Sequence, residues 1–182
     1  MARHGLAHST FAGPEKPTNR PESSRLVLAT KNRAGKGRDM KPTLKAGLTH
    51  RFAYTVPENK TVPFTYPESP EISSMPKVFA TGFMIVLMEW ACTQLLGPHL
   101  DPGEGSLGVH VDVSHLAATP PGMTVTVDVE CVDVTGPRVS FKVKAHDGMD
   151  LIGEGRHERF VVNWDKFNAR LAAKVAKIAE LA

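Results

Sequence analysis

Cysteine is almost missing from this sequence: Cys92 and Cys131 are the only two in 182 residues. Each lies in an apolar stretch and reads as a buried thiol of a reducing compartment. No CxxC and no Cys/His cluster accompanies them, so no metal site is expected. Long apolar runs are missing too. The most apolar stretch is too short, and carries too many polar residues, to span a membrane. The first residues lack the continuous apolar core of a secretory signal, so a cytoplasmic location is expected. No internal repeat is present. A basic excess is missing where the fold should be. Residues 1–41 hold 9 Lys/Arg against 3 Asp/Glu, while residues 42–182 hold 13 against 16. The formal charge of +3 therefore comes from the N-terminal segment, and the rest has no case for nucleic acid.

What is present is organised around residues 78–96, Val-Phe-Ala-Thr-Gly-Phe-Met-Ile-Val-Leu-Met-Glu-Trp-Ala-Cys-Thr-Gln-Leu-Leu. From Phe83 to Leu96 the pattern predicts a helix apolar nearly all round, and such a helix is buried. Gly97-Pro98 ends it. Its one ionisable group is Glu89. A carboxylate there must be paired, hydrogen-bonded, protonated or open to a cleft, unless it merely faces solvent at the helix edge.

Residues 1–41 are rich in Pro, Ser, Arg, Lys and Gly and nearly free of apolar periodicity. They read as a disordered basic extension preceding a domain at 42–182. An inert extension, or upstream sequence with Met40 the natural beginning, is the leading meaning. An address or a nucleic-acid-binding arm competes. Residues 47–56 alternate as a first strand, and 57–77, with five prolines, form a long connection of the kind used for lids or binding loops. After the helix, four runs at 106–117, 123–134, 138–146 and 151–163 read as antiparallel strands joined by turns. Residues 164–181 form a closing helix with Leu171, Val175, Ile178 and Leu181 as its apolar stripe. A sheet with one wet face must cover the other with something apolar, and the central helix is the only candidate. The expected fold is α+β, a five-stranded antiparallel sheet wrapped on one long buried helix: the hot-dog arrangement.

Chemistry is expected in a few places. Thr81 and Gly82 fall at the helix N-terminus, where free N–H groups and the positive dipole end can receive an oxyanion. Thr81 is otherwise a plain N-cap. The strand period puts Val109, Val111, Val113 and His115 on the helix side. His115 is the best general-base candidate, against the plainer reading of a satisfied core histidine. His157 and Arg159 share a face with Gly153 and Gly155. Arg159 binds an acyl or phosphate oxygen or simply pairs with Glu89 or Glu158. Thr81 and Glu89, if both helical, stand ~12 Å apart. Either Thr81 folds back in a loop, or the two groups act together across a dimer interface.

The blocks Pro67-Glu-Ser-Pro70, Val78-Phe-Ala-Thr-Gly-Phe-Met84, Leu87-Met-Glu-Trp-Ala-Cys92, Pro102-Gly-Glu-Gly-Ser-Leu-Gly108, Ala117-Ala-Thr-Pro-Pro-Gly122, Ala145-His-Asp-Gly148, Gly155-Arg-His-Glu-Arg159 and Lys166-Phe-Asn168 occur in one order. Over roughly residues 46–170 the chain resembles the fluoroacetyl-CoA thioesterase family of hot-dog thioesterases. The resemblance implies a homodimer that hydrolyses a small acyl-CoA with no metal and no cofactor, coenzyme A being part of the substrate. It places the family's catalytic threonine, glutamate and histidine on Thr81, Glu89 and His115. The glycine and arginine near the acyl pocket fall on Gly108 and Arg159. Where the family has a phenylalanine covering the pocket, this chain has Met75, which is flexible and less shape-specific. Three other functions compete: an acyl-CoA hydratase or dehydratase on the same fold, a non-catalytic acyl-CoA-binding module, and a nucleic-acid binder driven by the N-terminal segment.

Overall fold

The computed structural model of the chain describes residues 40–181. The reading of residues 1–41 therefore falls almost wholly outside the described residues. The elements run β1 (Thr49–Thr55), α1 (Pro70–Ser73), α2 (Thr81–Leu96), β2 (Glu104–His115), β3 (Thr124–Thr135), β4 (Arg138–His146), β5 (Leu151–Asn163) and α3 (Trp164–Ala179). The strands form one antiparallel sheet in the order β1-β3-β4-β5-β2. β3 alternates without a break through Val125, Val127, Val129 and Cys131, and all four are buried. β4 does the same with Val139, Phe141, Val143 and Ala145. Period-two alternation sends these side chains to one face. That face is covered by Met84, Leu87, Met88, Ala91, Cys92 and Leu95 of α2. Each large side chain buried in this way contributes about 1.5–3 kcal/mol. The hot-dog architecture is present. The 57–77 connection is less bare than its prolines suggest, with two single 3₁₀ turns and the short α1.

Three features depart from the sequence reading. First, α2 is not buried all round. Its sheet-facing side is covered, but Val86 and Trp90, one turn apart, are 57% and 47% exposed. One five-stranded sheet can enclose only one side of a helix, so the second apolar side is left open. Trp90 leans edge-on to Phe52 and Tyr54 of β1. Second, α3 carries the expected stripe, but Leu171, Val175, Ile178 and Leu181 are all exposed, and no residue of the helix is buried. Third, β2 is not regular. Its register against β5 shifts between Gly108 and His110. This is a bulge, one extra residue in one strand. Gly108 pairs with Arg159, and Val111 with His157. Gly108, Val111, Val113 and His115 thus share the helix side, although simple alternation from His115 would put Gly108 on the other face.

β2 is an edge strand of twelve residues. It lies unusually close to β5 where β5 carries glycine. A Cβ on Gly155 would stand 2.1 Å from the carbonyl oxygen of Asp112. Any side chain there would push β2 away, so the strand glycine marks a close backbone approach.

Candidate active site

Backbone hydrogen bonds fix the entry to α2. Phe79 N–H donates to Thr119 O at 2.8 Å and Ala80 N–H to Lys60 O at 3.1 Å. Ala80 is the N-cap and offers no side-chain cap. Thr81 is therefore the first helical residue, neither a cap nor part of a folded-back loop. The N–H groups of the first turn point out of the helix end with no side chain on them, and Gly82 beside them is exposed, with open space where a Cβ would be. The expected anion-receptive end is in place.

Thr81 and His115 meet. Thr81 Oγ1 and His115 Nδ1 are 2.7 Å apart. His115 ends β2, opposite Gly153. Its Nε2 is buried and has no hydrogen-bond partner among the described residues. With Nδ1 engaged by the hydroxyl, Nε2 is the ring nitrogen left to exchange a proton. A cleft of about 310 Å³ opens here, lined by Val62, Phe79, Thr81, His115, Leu116 and Ala117. Two larger depressions lie elsewhere, among mixed charges such as Arg51, Asp128, Lys142 and Glu154. They hold none of the candidate catalytic groups.

Glu89 belongs to a second group. Its Oε1 is 3.3 Å from His157 Nε2 and 3.7 Å from Arg159 Nη1. The Glu89 side chain is 31% exposed, whereas those of His157 and Arg159 are 2% and 7% exposed. The carboxylate is thus the only open member of a buried cluster. Gly108 makes room for it: a Cβ there would stand 2.3 Å from Glu89 Oε1. Arg159 is anchored by Ser106, with Nε donating to the hydroxyl at 2.8 Å and Nη2 to the carbonyl oxygen at 2.9 Å. Its third bond runs from Nη1 to His157 Nε2 at 3.1 Å. Of the two sequence alternatives for its ion pair, Glu89 is the one found. Glu158 pairs with Arg138 instead.

His157 Nδ1 is 2.9 Å from the carbonyl oxygen of His110, to which it donates. Burial holds the imidazole pKa below its ordinary value. The Glu89 carboxylate pulls it up, and the Arg159 guanidinium pushes it down again. The ring is therefore neutral, with Nε2 an acceptor. Burial also pushes the Cys92 thiol up to about 12, in spite of Arg159 nearby. Cys92 stays protonated and inert as a nucleophile.

Sequence reasoning named Thr81, Glu89, His115, Gly108 and Arg159 and offered Glu89 as one partner of Arg159, but it did not foresee that Thr81 meets His115 or that Gly108 makes room for Glu89. It missed Ser106 and the part played by His157. The face shared with Arg159 was the available signal for His157. Met75 follows α1, is 48% exposed, and does not line the Thr81–His115 cleft. The two groups are separated within the chain. Thr81 and Glu89 are both helical and ~12 Å apart along α2. Along β2, His115 lies four residues past Val111, the partner of His157, or ~13 Å. No cluster of potential metal ligands occurs among the described residues, and no helix among them is long and apolar enough to cross a membrane.

Comparison with known proteins identifies relatives of the chain. A profile described as fluoroacetyl-CoA-specific thioesterase matches residues 56–165. The chain is 53% identical over 135 residues to the fluoroacetyl-CoA thioesterase of Streptantibioticus cattleyicolor, covering 74% of this chain and 97% of that protein. A solved structure of the fluoroacetyl-CoA thioesterase superposes with a TM-score of 0.71 at 53% identity, over 72% of this chain and 97% of that one. A thioesterase superfamily member from Thermus thermophilus superposes at 0.68 with 31% identity, over 79% of this chain and 100% of that one. Sequence blocks, sheet order and relatives converge, and the chain belongs to the fluoroacetyl-CoA-specific thioesterase family of hot-dog enzymes.

Proposed function

We propose that this acyl-CoA thioesterase acts on short acyl groups through Thr81, Glu89 and His115, in a site completed by a second copy of the chain. The observation that carries this reading is the presence of one open carboxylate, Glu89, and one imidazole, His115, whose Nε2 has no partner among the described residues. The thioester carbonyl rests against the N–H groups around Gly82, where the helix end stabilises the developing oxyanion. The Glu89 carboxylate attacks the carbonyl carbon through the oxygen not turned to His157 and Arg159. The C–S bond breaks and coenzyme A leaves as thiolate, a good leaving group. The resulting anhydride is opened by water, whose proton passes to His115 Nε2, and the acid and the Glu89 carboxylate are released. Thr81 orients His115 and hydrogen-bonds the reacting groups. These steps are carried by side chains and call on no metal or redox cofactor.

The ~12 Å between Thr81 and Glu89 in one chain motivates the second copy. β2 offers a free edge with exposed Val109 and Val111, and α2 offers Val86 and Trp90. Two copies of β2 paired antiparallel about their middle would set His115 of one beside the Ser106–Gly108 end of the other, next to Glu89. A C2 pairing of this kind also hides an edge that is otherwise open to aggregation. Mixing inactive Thr81→Ala and Glu89→Gln chains should restore roughly a quarter of wild-type activity, because half the dimers are mixed and each holds one intact site. No restoration after confirmed subunit exchange would place the site within one chain.

Substrate range is read from the resemblance, which puts Met75 where the family has a phenylalanine cover, although within one chain it does not line the Thr81–His115 cleft. A flexible thioether leaves a more permissive pocket than an aromatic cover. Thiol release measured over a panel of acyl-CoAs should show acetyl-, fluoroacetyl- and propionyl-CoA hydrolysed with comparable kcat/KM. A strong preference for the fluorinated substrate would refute the permissive pocket, and no thiol release from any of them would refute the enzyme. The two free, buried thiols fit a reducing compartment, and the activity is assigned to the cytoplasm.

A further inference from the structure

We infer that His157 is a positioning residue for Glu89: by accepting a hydrogen bond from Arg159, it keeps the guanidinium from tightening its loose ion pair with the carboxylate into a hydrogen-bonded, two-pronged one. The inference rests on Glu89 being the reacting carboxylate.

The geometry of the guanidinium carries it. Arg159 sits almost fully buried within reach of Glu89, and a buried Arg beside a carboxylate normally forms a two-pronged pair. Here it does not. Nε and Nη2 are both engaged by Ser106, at 2.8 and 2.9 Å. Nη1 is engaged by His157 Nε2 at 3.1 Å. It stands 3.7 Å from Glu89 Oε1, beyond hydrogen-bond distance. The cation is thus held on three sides, none of them the carboxylate's. His157 can do this only as an acceptor, and the His110 carbonyl ensures it by taking the Nδ1 proton. That carbonyl follows the β2 bulge, so the irregular strand sets the tautomer. The other ionisable groups acting on the ring are Glu89 of α2 and Glu158 of β5. Among the described residues neither hydrogen-bonds Arg159. A carboxylate clamped by Arg159 would have its lone pairs directed into the cluster and away from substrate. Left 31% exposed, it keeps one edge open. The nearby cation still favours its charged form without tying up the reactive oxygen.

The test compares two substitutions of the same ring. His157→Phe keeps bulk and apolar contact but removes the acceptor. Arg159 Nη1 should then swing to Glu89, and kcat should fall about tenfold, the scale of one hydrogen bond to a charged group. KM should stay within about twofold, since Ser106 still anchors Arg159 through two of its three bonds. His157→Gln puts an amide oxygen near the Nε2 position and should restore kcat to within about threefold of wild type. A merely structural role for the ring predicts the opposite order, because Phe fills the space better than Gln. If the Phe variant does not fold, as judged by circular dichroism, His157→Met replaces it as a bulky, very weak acceptor. Gln and Phe (or Met) variants with equal kcat, or with Gln the worse, would overturn the inference. Its failure is separable from that of the catalytic reading. If Glu89 is not the reacting group, Glu89→Gln stays active whatever stands at 157. If only the positioning role is wrong, Glu89→Gln is inactive while the acceptor at 157 makes no difference.

Discussion

Glu89→Gln lowers kcat for short acyl-CoA hydrolysis by at least ~100-fold, the scale of a lost acid–base or nucleophilic group, and leaves the fold intact. The amide keeps the size of the carboxylate and fits the room left by Gly108. It cannot attack a thioester carbonyl or take up a proton. The cluster survives because the three bonds of Arg159 go to Ser106 and His157 and not to Glu89. Circular dichroism and melting should therefore stay close to wild type, and coenzyme A should still bind. Steady-state thiol release with acetyl-CoA is the measurement. A folded Glu89→Gln enzyme with near wild-type turnover would move the role elsewhere and favour a pocket that only binds acyl-CoA.

His115→Ala is expected to cost as much, again ~100-fold or more in kcat. The variant loses a polar ring atom of the Thr81 cleft, Nε2, that has no partner among the described residues. It also frees the Thr81 hydroxyl from its 2.7 Å bond. Thr81 substitutions should grade with what they leave behind. Thr81→Ser keeps the oxygen and should lose less than Thr81→Ala. If Ser and Ala are equally poor, the methyl of Thr81 matters and its hydroxyl does not. If His115→Ala is active while folded, water is activated by another group.

Much of the architecture could be read before any coordinates. β3 announces itself by strict alternation, and its Val125–Cys131 face is the one buried. The helix is marked by apolar residues on every side and closed by Gly97-Pro98. Hydrophobicity alone does not say what does the covering, so Val86 and Trp90 were expected inside and lie exposed. The same holds for the stripe of α3. Thr81 and His115 were each legible, one by its place at a helix start, the other by strand parity. Their contact was not, because it depends on where β2 ends against α2. The clamp on Arg159 was less legible still. It needs Ser106 and His157 to arrive from strands about fifty residues apart in sequence, and no local pattern encodes that meeting. Parity failed at one place, Gly108, because alternation cannot foresee an extra residue.

That extra residue makes the enzyme sensitive to counting. Between the glycine that accommodates Glu89 and the histidine that meets Thr81, β2 spends seven steps, an odd number, yet both ends face the helix. Regular pleating delivers same-side residues only at even separations. The bulge supplies the missing half-period. Length in this segment is therefore tied to the bulge. Removing the bulged residue, Val109, would leave six steps, an even number, and keep every remaining pair against β5, with Gly108 and His115 still on the helix side. A residue lost while the bulge remains, or gained without a second bulge, would turn one of the two to the other face. Chains descended from this one are free to exchange side chains along β2, and to change its length only together with the bulge.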